Sequence, residues 1–288
     1  MHLMRFELAA DFMRQAETFL LAQEAEHNLM LGLCASLMRQ PDAYEAAPYL
    51  ALVTEGDAIV AAALRTPPYN LVLSRVSPAP RADEASALIA DDAFALYGEL
   101  PGVFGPAAVS LAFAERWRAL TGQPRRAALR QERVYQLEAV IPVSGVPGRL
   151  RPATTGDRAV LVRWIDGFNR EALGDSESQD PDRWVESALV SSGRRLFIWE
   201  DGAPVSFAGC TGPTPNGIRI GPVYTPPERR HQGYASACVA ALSQQLLDEG
   251  RRYCFLFTDL GNPTANHIYQ AVGYRPVSNA DFYAFGAA

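Results

Sequence analysis

The stretch richest in chemical potential is Val223-Tyr224-Thr225-Pro226-Pro227-Glu228-Arg229-Arg230-His231-Gln232-Gly233-Tyr234-Ala235-Ser236. An apolar run ends here in a basic turn that opens directly into a helix-forming segment. The start of a helix presents unpaired backbone N–H groups and the positive end of its dipole, and both favour an anion. Gly233 and Ala235 leave the backbone uncovered for close approach, while Arg229 and Arg230 add fixed positive charge. The chemistry that suits this pattern is capture of a phosphate or pyrophosphate. A surface turn capped by an ordinary helix would have the same Arg and Gly content, so residues elsewhere have to decide between the two. A second polar stretch, Asn262-Pro263-Thr264-Ala265-Asn266-His267-Ile268-Tyr269-Gln270-Ala271-Val272-Gly273-Tyr274, follows downstream.

Composition removes several other chemistries. All 26 basic residues are arginine. A lysine Schiff base, a lysine general base and a Walker-type phosphate loop are therefore excluded. The net charge of -6 and a pI near 5.3 give no whole-chain footprint for nucleic acid or an anionic membrane, and neither partner is expected. Cys34, Cys210, Cys238 and Cys254 form no Cys-x-x-Cys pair, and His2, His27, His231 and His267 form no His-Glu-x-x-His, so no metal site is expected. The first residues lack the apolar run and small-residue cleavage site of a signal peptide, and no stretch reaches the roughly 18 apolar residues of a membrane span. A cytoplasmic, reducing location is the expectation.

The elements that must position these residues follow from length and periodicity. A chain of 288 residues, at about 100–200 per domain, suggests two domains. Two prolines and two glycines between Val140 and Gly148 break the pattern and place the boundary there, giving domains 1–145 and 146–288. The second half reads as a short strand at 150–153, a capped helix from 155 to 168, a helix from Pro181 to Val190, and a hairpin whose strands flank Glu200-Asp201-Gly202-Ala203. A strand from Ile218 to Thr225, a helix from about Ala235, a strand at 253–258, a short helix at 263–271 and a strand near 282–285 complete it. The first half repeats part of this order, with a helical stretch from Asp11 to Met38, strands at 49–53 and 58–64, and helices near 83–97 and 107–120. Placing Gly122 over Gly273 sets Ala114 over Ala265, but also Leu111 over Asn262, Arg118 over Tyr269 and Gln123 over Tyr274. If the halves are a duplication, the first has lost these polar residues.

The two motifs together resemble the GCN5-related N-acetyltransferase (GNAT) superfamily. Its coenzyme A signature, Gln/Arg-x-x-Gly-x-Gly/Ala, is matched by Arg230-His231-Gln232-Gly233-Tyr234-Ala235, and its second motif of Asn, Ala, Tyr and Gly-aromatic by Asn262, Ala265, Tyr269 and Gly273-Tyr274. The resemblance covers residues 149–288, and the first half is at most a degenerate copy. It implies an α/β fold with a mixed, mostly antiparallel sheet flanked by helices, in two tandem domains. It also implies acetyl-CoA as co-substrate and an amine acceptor, small molecule or peptide, attacking the thioester directly.

On this reading, the strand ending at Thr225 and the strand near 253–258 splay apart, and backbone groups of Val223, Tyr224 and Thr225 bond the pantetheine arm and polarise the thioester carbonyl. The loop Arg230, His231, Gln232, Gly233, Tyr234, Ala235 and Ser236 holds the pyrophosphate. Tyr269 is the catalytic candidate, because the leaving thiolate needs a proton and a phenol can donate one; a buried core tyrosine is the bland alternative. Asn262 and Asn266 could bond the cofactor arm, with helix capping the competing role for Asn262 before Pro263. Glu171, Glu200 and Asp259 have the chemistry of a general base, though each also fits a solvated carboxylate. A module that binds coenzyme A or acyl-CoA as a sensor, without turnover, is the alternative function.

Overall fold

The structure, a computed structural model, describes residues 1–41, 44, 46–123, 129–173, 180–190 and 193–286. Contacts divide it into two compact units, Met1–Val134 with Val277–Ala288, and Tyr135–Pro276. Among the described residues no helix is long and apolar enough to cross a membrane.

The first unit begins with β1 (His2–Phe6), α1 (Ala9–Leu21) and α2 (Glu24–Arg39). It continues with β2 (Tyr49–Glu55), β3 (Ala58–Arg65), β4 (Leu71–Leu73), α3 (Ala82–Tyr97), β5 (Gly102–Pro106) and α4 (Ala107–Thr121). Strands β1 to β4 pair antiparallel in sequence order, and β4 pairs parallel with β5. The near-continuous apolar runs of β2 and β3 are those of strands buried on both faces. Leu50, Leu52, Ala62 and Leu64 pack against α1 and α2, whereas Ala51, Val53, Ala61 and Ala63 pack against α3 and α4.

After β6 (Arg130–Leu137), the second unit has β7 (Arg149–Pro152), α5 (Arg158–Phe168), α6 (Pro181–Val190), β8 (Arg194–Asp201), β9 (Ala203–Thr211) and β10 (Gly217–Tyr224). Then come α7 (Tyr234–Asp248), β11 (Tyr253–Asp259), α8 (Pro263–Val272) and β12 (Arg275–Ala284). Strands β7, β8, β9 and β10 are antiparallel neighbours, and β10 meets β11 in parallel. Leu196, Ile198 and Phe207 face α5 and α6, while Phe197, Trp199, Ile218 and Ile220 face α7. The start of α5 is fixed by a capping box, in which Thr154 N–H donates to Asp157 Oδ2 at 2.8 Å. Arg151 on β7 donates to both Asp157 oxygens at 2.8 Å and holds that carboxyl near a pKa of about 2.

The element order β-α-α-β-β-β-α-β-α-β thus occurs twice, with β1 to β6 as the first copy and β7 to β12 as the second. Sequence periodicity finds the later helices and both hairpins, but it reads α1 and α2 as one helical stretch, which the structure breaks at Ala22–Gln23, and it misses β1, β4, β5 and β6. The last strand of each copy serves the other unit's core. Tyr135 and Leu137 of β6 are buried in the second unit, while Tyr283 of β12 is buried in the first, where β12 pairs antiparallel with β5 from Ala280 to Ala284.

Candidate active site

The site forms where β10 and β11 part. Their parallel pairing runs only from Gly217 opposite Tyr253 to Arg219 opposite Phe255. Beyond Arg219, β10 continues along β9 alone, after a register shift between Ile220 and Val223 that takes up Gly221 and Pro222. A bulge of this kind bends and twists its strand. The edge of β10 from Ile220 to Tyr224 therefore has no pairing with β11 among the described residues. This is the splay expected at Val223, Tyr224 and Thr225, and the backbone groups there that Ser206 and Arg230 do not engage can pair with an extended chain of amides such as pantetheine.

From Tyr224 the backbone passes through Thr225 and a 3-10 turn at Pro227–Arg229 into the loop before α7. His231 has φ of 62°, the one positive value at a non-glycine among the described residues, and Gly233 follows at 81°. Left-handed backbone turns successive N–H groups toward a common side, which makes a concave anion site. The N–H groups from His231 to Ser236 donate to no described acceptor, and no side chain caps α7. His231, Gln232 and Gly233 are exposed; Ala235 and Ser236 are half-buried. Tyr234 instead points inward, its hydroxyl donating to Asp201 Oδ2 at 2.7 Å and fixing the first turn of α7 to the β8–β9 hairpin. Gly233 is needed twice over, because a Cβ there would also come within 2.8 Å of Val146 Cγ2.

Arg230 is not free to meet a phosphate in this arrangement. Its Nη2 donates to both oxygens of Glu171, at 2.9 and 2.7 Å, and its Nε donates to Thr225 O at 2.9 Å, bracing the loop from within. Glu171 lies in one turn of π-helix, Asn169–Leu173, that continues α5. It also accepts from the Tyr224 hydroxyl at 3.1 Å, which burial and the adjacent carboxylate hold above the usual phenol range. Tyr224 reaches it because residue 167 is glycine, where a Cβ would collide with the Tyr224 hydroxyl. Ser206 Oγ lies 2.8 Å from Thr225 Oγ1 and donates to Tyr224 O at 3.1 Å, which holds the end of β10 to β9.

Helix α8 follows β11 after a short turn. Asn262 Oδ1 accepts from Ala265 N at 3.0 Å, so its amide caps the helix that Pro263 opens. Asn266 Nδ2 donates to the carbonyls of Asp259 and Asn262, both at 2.8 Å, and its Oδ1 accepts from Tyr135 at 3.0 Å. Both asparagines thus position α8, with side chains already engaged. Tyr269 packs against the same core cluster as Val223, its ring 6.4 Å from Tyr135 and 6.0 Å from Tyr274. Its hydroxyl bonds to no described residue, and burial pushes its pKa up to about 12.

The three carboxylates with general-base chemistry are all occupied: Glu171 as above, Glu200 accepting from Arg151 at 2.8 Å, and Asp259 accepting from Gly261 N at 2.7 Å. Tyr135 and Ser206 support the site without any motif that would reveal them in sequence. Only the tertiary fold brings Tyr135 to Asn266, 131 positions away.

Residues 160–274 match the acetyltransferase (GNAT) family. No curated protein matches the chain significantly. Among solved structures, the chain is similar to a GCN5-related N-acetyltransferase from Sphaerobacter thermophilus, with 17% identity and a TM-score of 0.61 over 99% of this chain and 97% of that one. It is likewise similar to a tandem GNAT protein from the clavulanic acid biosynthesis pathway, with 15% identity and a TM-score of 0.57 over 100% of this chain and 99% of that one. A GNAT-family acetyltransferase from Colwellia psychrerythraea gives 14% identity and 0.56 over 99% and 100%. At these identities the structures establish the fold, which is shared with tandem GNAT proteins along the whole chain, and residues 160–274 within the second unit are what match the acetyltransferase (GNAT) family.

Proposed function

We propose that the chain is an acetyl-CoA-dependent N-acetyltransferase whose reaction takes place in the second unit. The observation that carries this reading is the opened edge of β10 running directly into the unfilled N–H groups of His231 to Ser236. An edge for amides followed by a cradle for phosphates matches the order of groups along coenzyme A. The edge at Val223 to Thr225, left without a β11 partner, would hold the pantetheine and direct N–H groups at the thioester oxygen as it becomes an oxyanion. The neutral amine attacks the carbonyl carbon, the C–N bond forms, the C–S bond breaks, and the departing sulfur receives a hydrogen bond and then a proton from Tyr269. The amine's extra proton leaves to solvent.

Among its described residues the first unit has no equivalent cradle before α3. The segment before α3 carries Pro78 and Pro80, which have no N–H to offer, and Asp83 and Glu84 occupy the first turn of the helix. Arg81 is paired with Glu55 and Glu84. We therefore expect one cofactor per chain. Calorimetric titration with acetyl-CoA tests the reading: saturation near one site per chain, followed by thiol release with a panel of amines, is the expected result. No detectable binding would overturn it, and binding without thiol release for any amine would favour a sensor.

A further inference from the structure

Arg230 begins the segment whose N–H groups form the cradle, yet its guanidinium is held by Glu171 and Thr225 O. Glu171 in turn receives the hydroxyl of Tyr224, on the part of β10 that pairs with β9 but not with β11. Three parts of the site, the loop before α7, the open strand edge and the π turn at the end of α5, therefore meet at one carboxylate. The ion pair is well exposed, with 36% of the Arg230 and 47% of the Glu171 side chain accessible. Such a pair is screened and readily exchanged. A pyrophosphate carries more negative charge than a carboxylate, and its oxygens suit the donor fork of a guanidinium.

We propose that the Arg230–Glu171 pair is a cofactor-sensitive latch, in which an anion bound at 231–236 draws Arg230 away from Glu171 and releases the π turn. This inference rests on the proposed function, and it makes Glu171 a positioning residue that acts through Arg230. Without Arg230, Glu171 keeps a single hydrogen bond, from Tyr224. A π turn is the least regular form of helix and depends on its surroundings to persist, so losing its charged tether loosens the end of α5 beside β10. Cofactor occupancy at the loop is thereby transmitted to the turn that borders the reacting end of the strand.

A latch and a simple brace predict opposite signs. If Glu171 merely supported the loop, replacing it would weaken cofactor binding; if it competes for Arg230, replacing it strengthens binding. The experiment is calorimetric titration of coenzyme A into the wild type, Glu171→Gln and Arg230→Gln, with amide hydrogen exchange followed across residues 158–173. Glu171→Gln should bind about two- to fivefold more tightly, the range expected for freeing an exposed ion pair. Arg230→Gln should bind more weakly than either. In the wild type, exchange across 158–173 should rise on saturation with coenzyme A, whereas in Glu171→Gln it should be raised already and unchanged by coenzyme A. Equal or weaker binding by Glu171→Gln, or unchanged or slowed exchange in the wild type, would overturn the latch. If circular dichroism shows that Glu171→Gln does not fold, the wild-type exchange result decides alone. Failure of the wild type to bind coenzyme A is a separate outcome, which overturns the acetyltransferase reading itself.

Discussion

Replacing Tyr269 by phenylalanine isolates the proposed proton donor, and the structure sets the size of the effect. The hydroxyl bonds to no described residue, and the ring packs against Tyr135 and Tyr274, so Tyr269→Phe keeps the packing and breaks no internal hydrogen bond. Stability should change by less than about 1 kcal/mol. The phenol's pKa of about 12 lies some 3–4 units above that of an ordinary alkyl thiol near 8.5. Complete proton transfer to the thiolate is therefore uphill by about 5 kcal/mol. The main contribution has to be a hydrogen bond that strengthens as charge builds on sulfur, which points to the lower end of the usual 10²–10⁴-fold range for general acids. We expect Tyr269→Phe to lose about 100-fold in kcat, with an unchanged Kd for coenzyme A and an unchanged Tm. Because a phenol titrating near 12 stays protonated, Tyr269 should add no alkaline limb to the wild-type rate up to pH 10. Steady-state thiol release with a productive amine, across pH 6 to 10, measures both. A kcat within threefold of wild type would remove Tyr269 from the chemistry, and an equal loss of coenzyme A affinity would recast it as a binding residue.

Three further outcomes follow from the same geometry. Gly233→Ala combines a left-handed backbone with a Cβ 2.8 Å from Val146, so it should lower stability by about 1–2 kcal/mol and weaken coenzyme A binding; a wild-type Tm and Kd would contradict the close approach. His27 is buried, with Nδ1 bonded to Leu20 O and Nε2 accepting from Arg75 N, and desolvation lowers its pKa to about 4. The fold binds the neutral ring, so its stabilisation is complete above the unfolded value near 6.5 and is lost as pH falls from there toward 4, by up to about 3 kcal/mol. Urea unfolding at pH 7 and pH 4.5 should show that drop in the wild type and a shallower one in His27→Gln; equal slopes would refute it. Ending the chain after Pro276 removes one of the two strand partners of β5 together with Phe282 and Tyr283, both buried, and should leave the first unit unfolded and the product insoluble. A soluble product with an intact first unit by circular dichroism would show that β12 is dispensable.

The segments carrying chemistry are the most legible in the sequence, because each is read locally. The basic turn before α7 and the Asn262 to Tyr274 helix announce themselves by residue type and spacing, and their backbone geometry follows from Gly233, Pro263 and Gly273. Less legible is what those side chains do. Arg230 reads as a phosphate ligand and Asn266 as a cofactor contact, but Glu171 and Tyr135 engage them from elsewhere in the fold. Nor does spacing foretell a left-handed His231 where glycine would be the easier residue. Strands β4 and β6 escape for another reason. A strand of three residues has almost no pattern, and Arg130-Gln131-Glu132-Arg133 is polar enough to pass for a loop until its neighbours are known. The Pro- and Gly-rich stretch at 140–148 marks where regular backbone stops, whereas contacts divide between Val134 and Tyr135, because Tyr135 and Leu137 bury themselves in the second core.

The two copies share one topology and its packing, and the features proposed to bind the cofactor lie in the second of them. Both rely on strands buried between helix pairs, a requirement met by any alternation of apolar side chains of suitable volume. The anion cradle asks for more: N–H groups left unpaired, a glycine at the helix start and no acidic residue in the first turn. The second copy satisfies all three before α7. In the first copy, prolines and acidic residues stand before and within the first turn of α3, and the Arg75 N–H beyond β4 is taken up by the ring of His27 from α2. That imidazole is itself buried. Its neutral form is stabilised by desolvation, so the contact persists at neutral pH and weakens only in acid. An edge with no ligand to pair it must bond within the protein or leave a buried donor unsatisfied, and the Arg75 N–H does the former. In the first copy the segment before α3 is thus satisfied within the protein, in line with the expectation that it takes no cofactor.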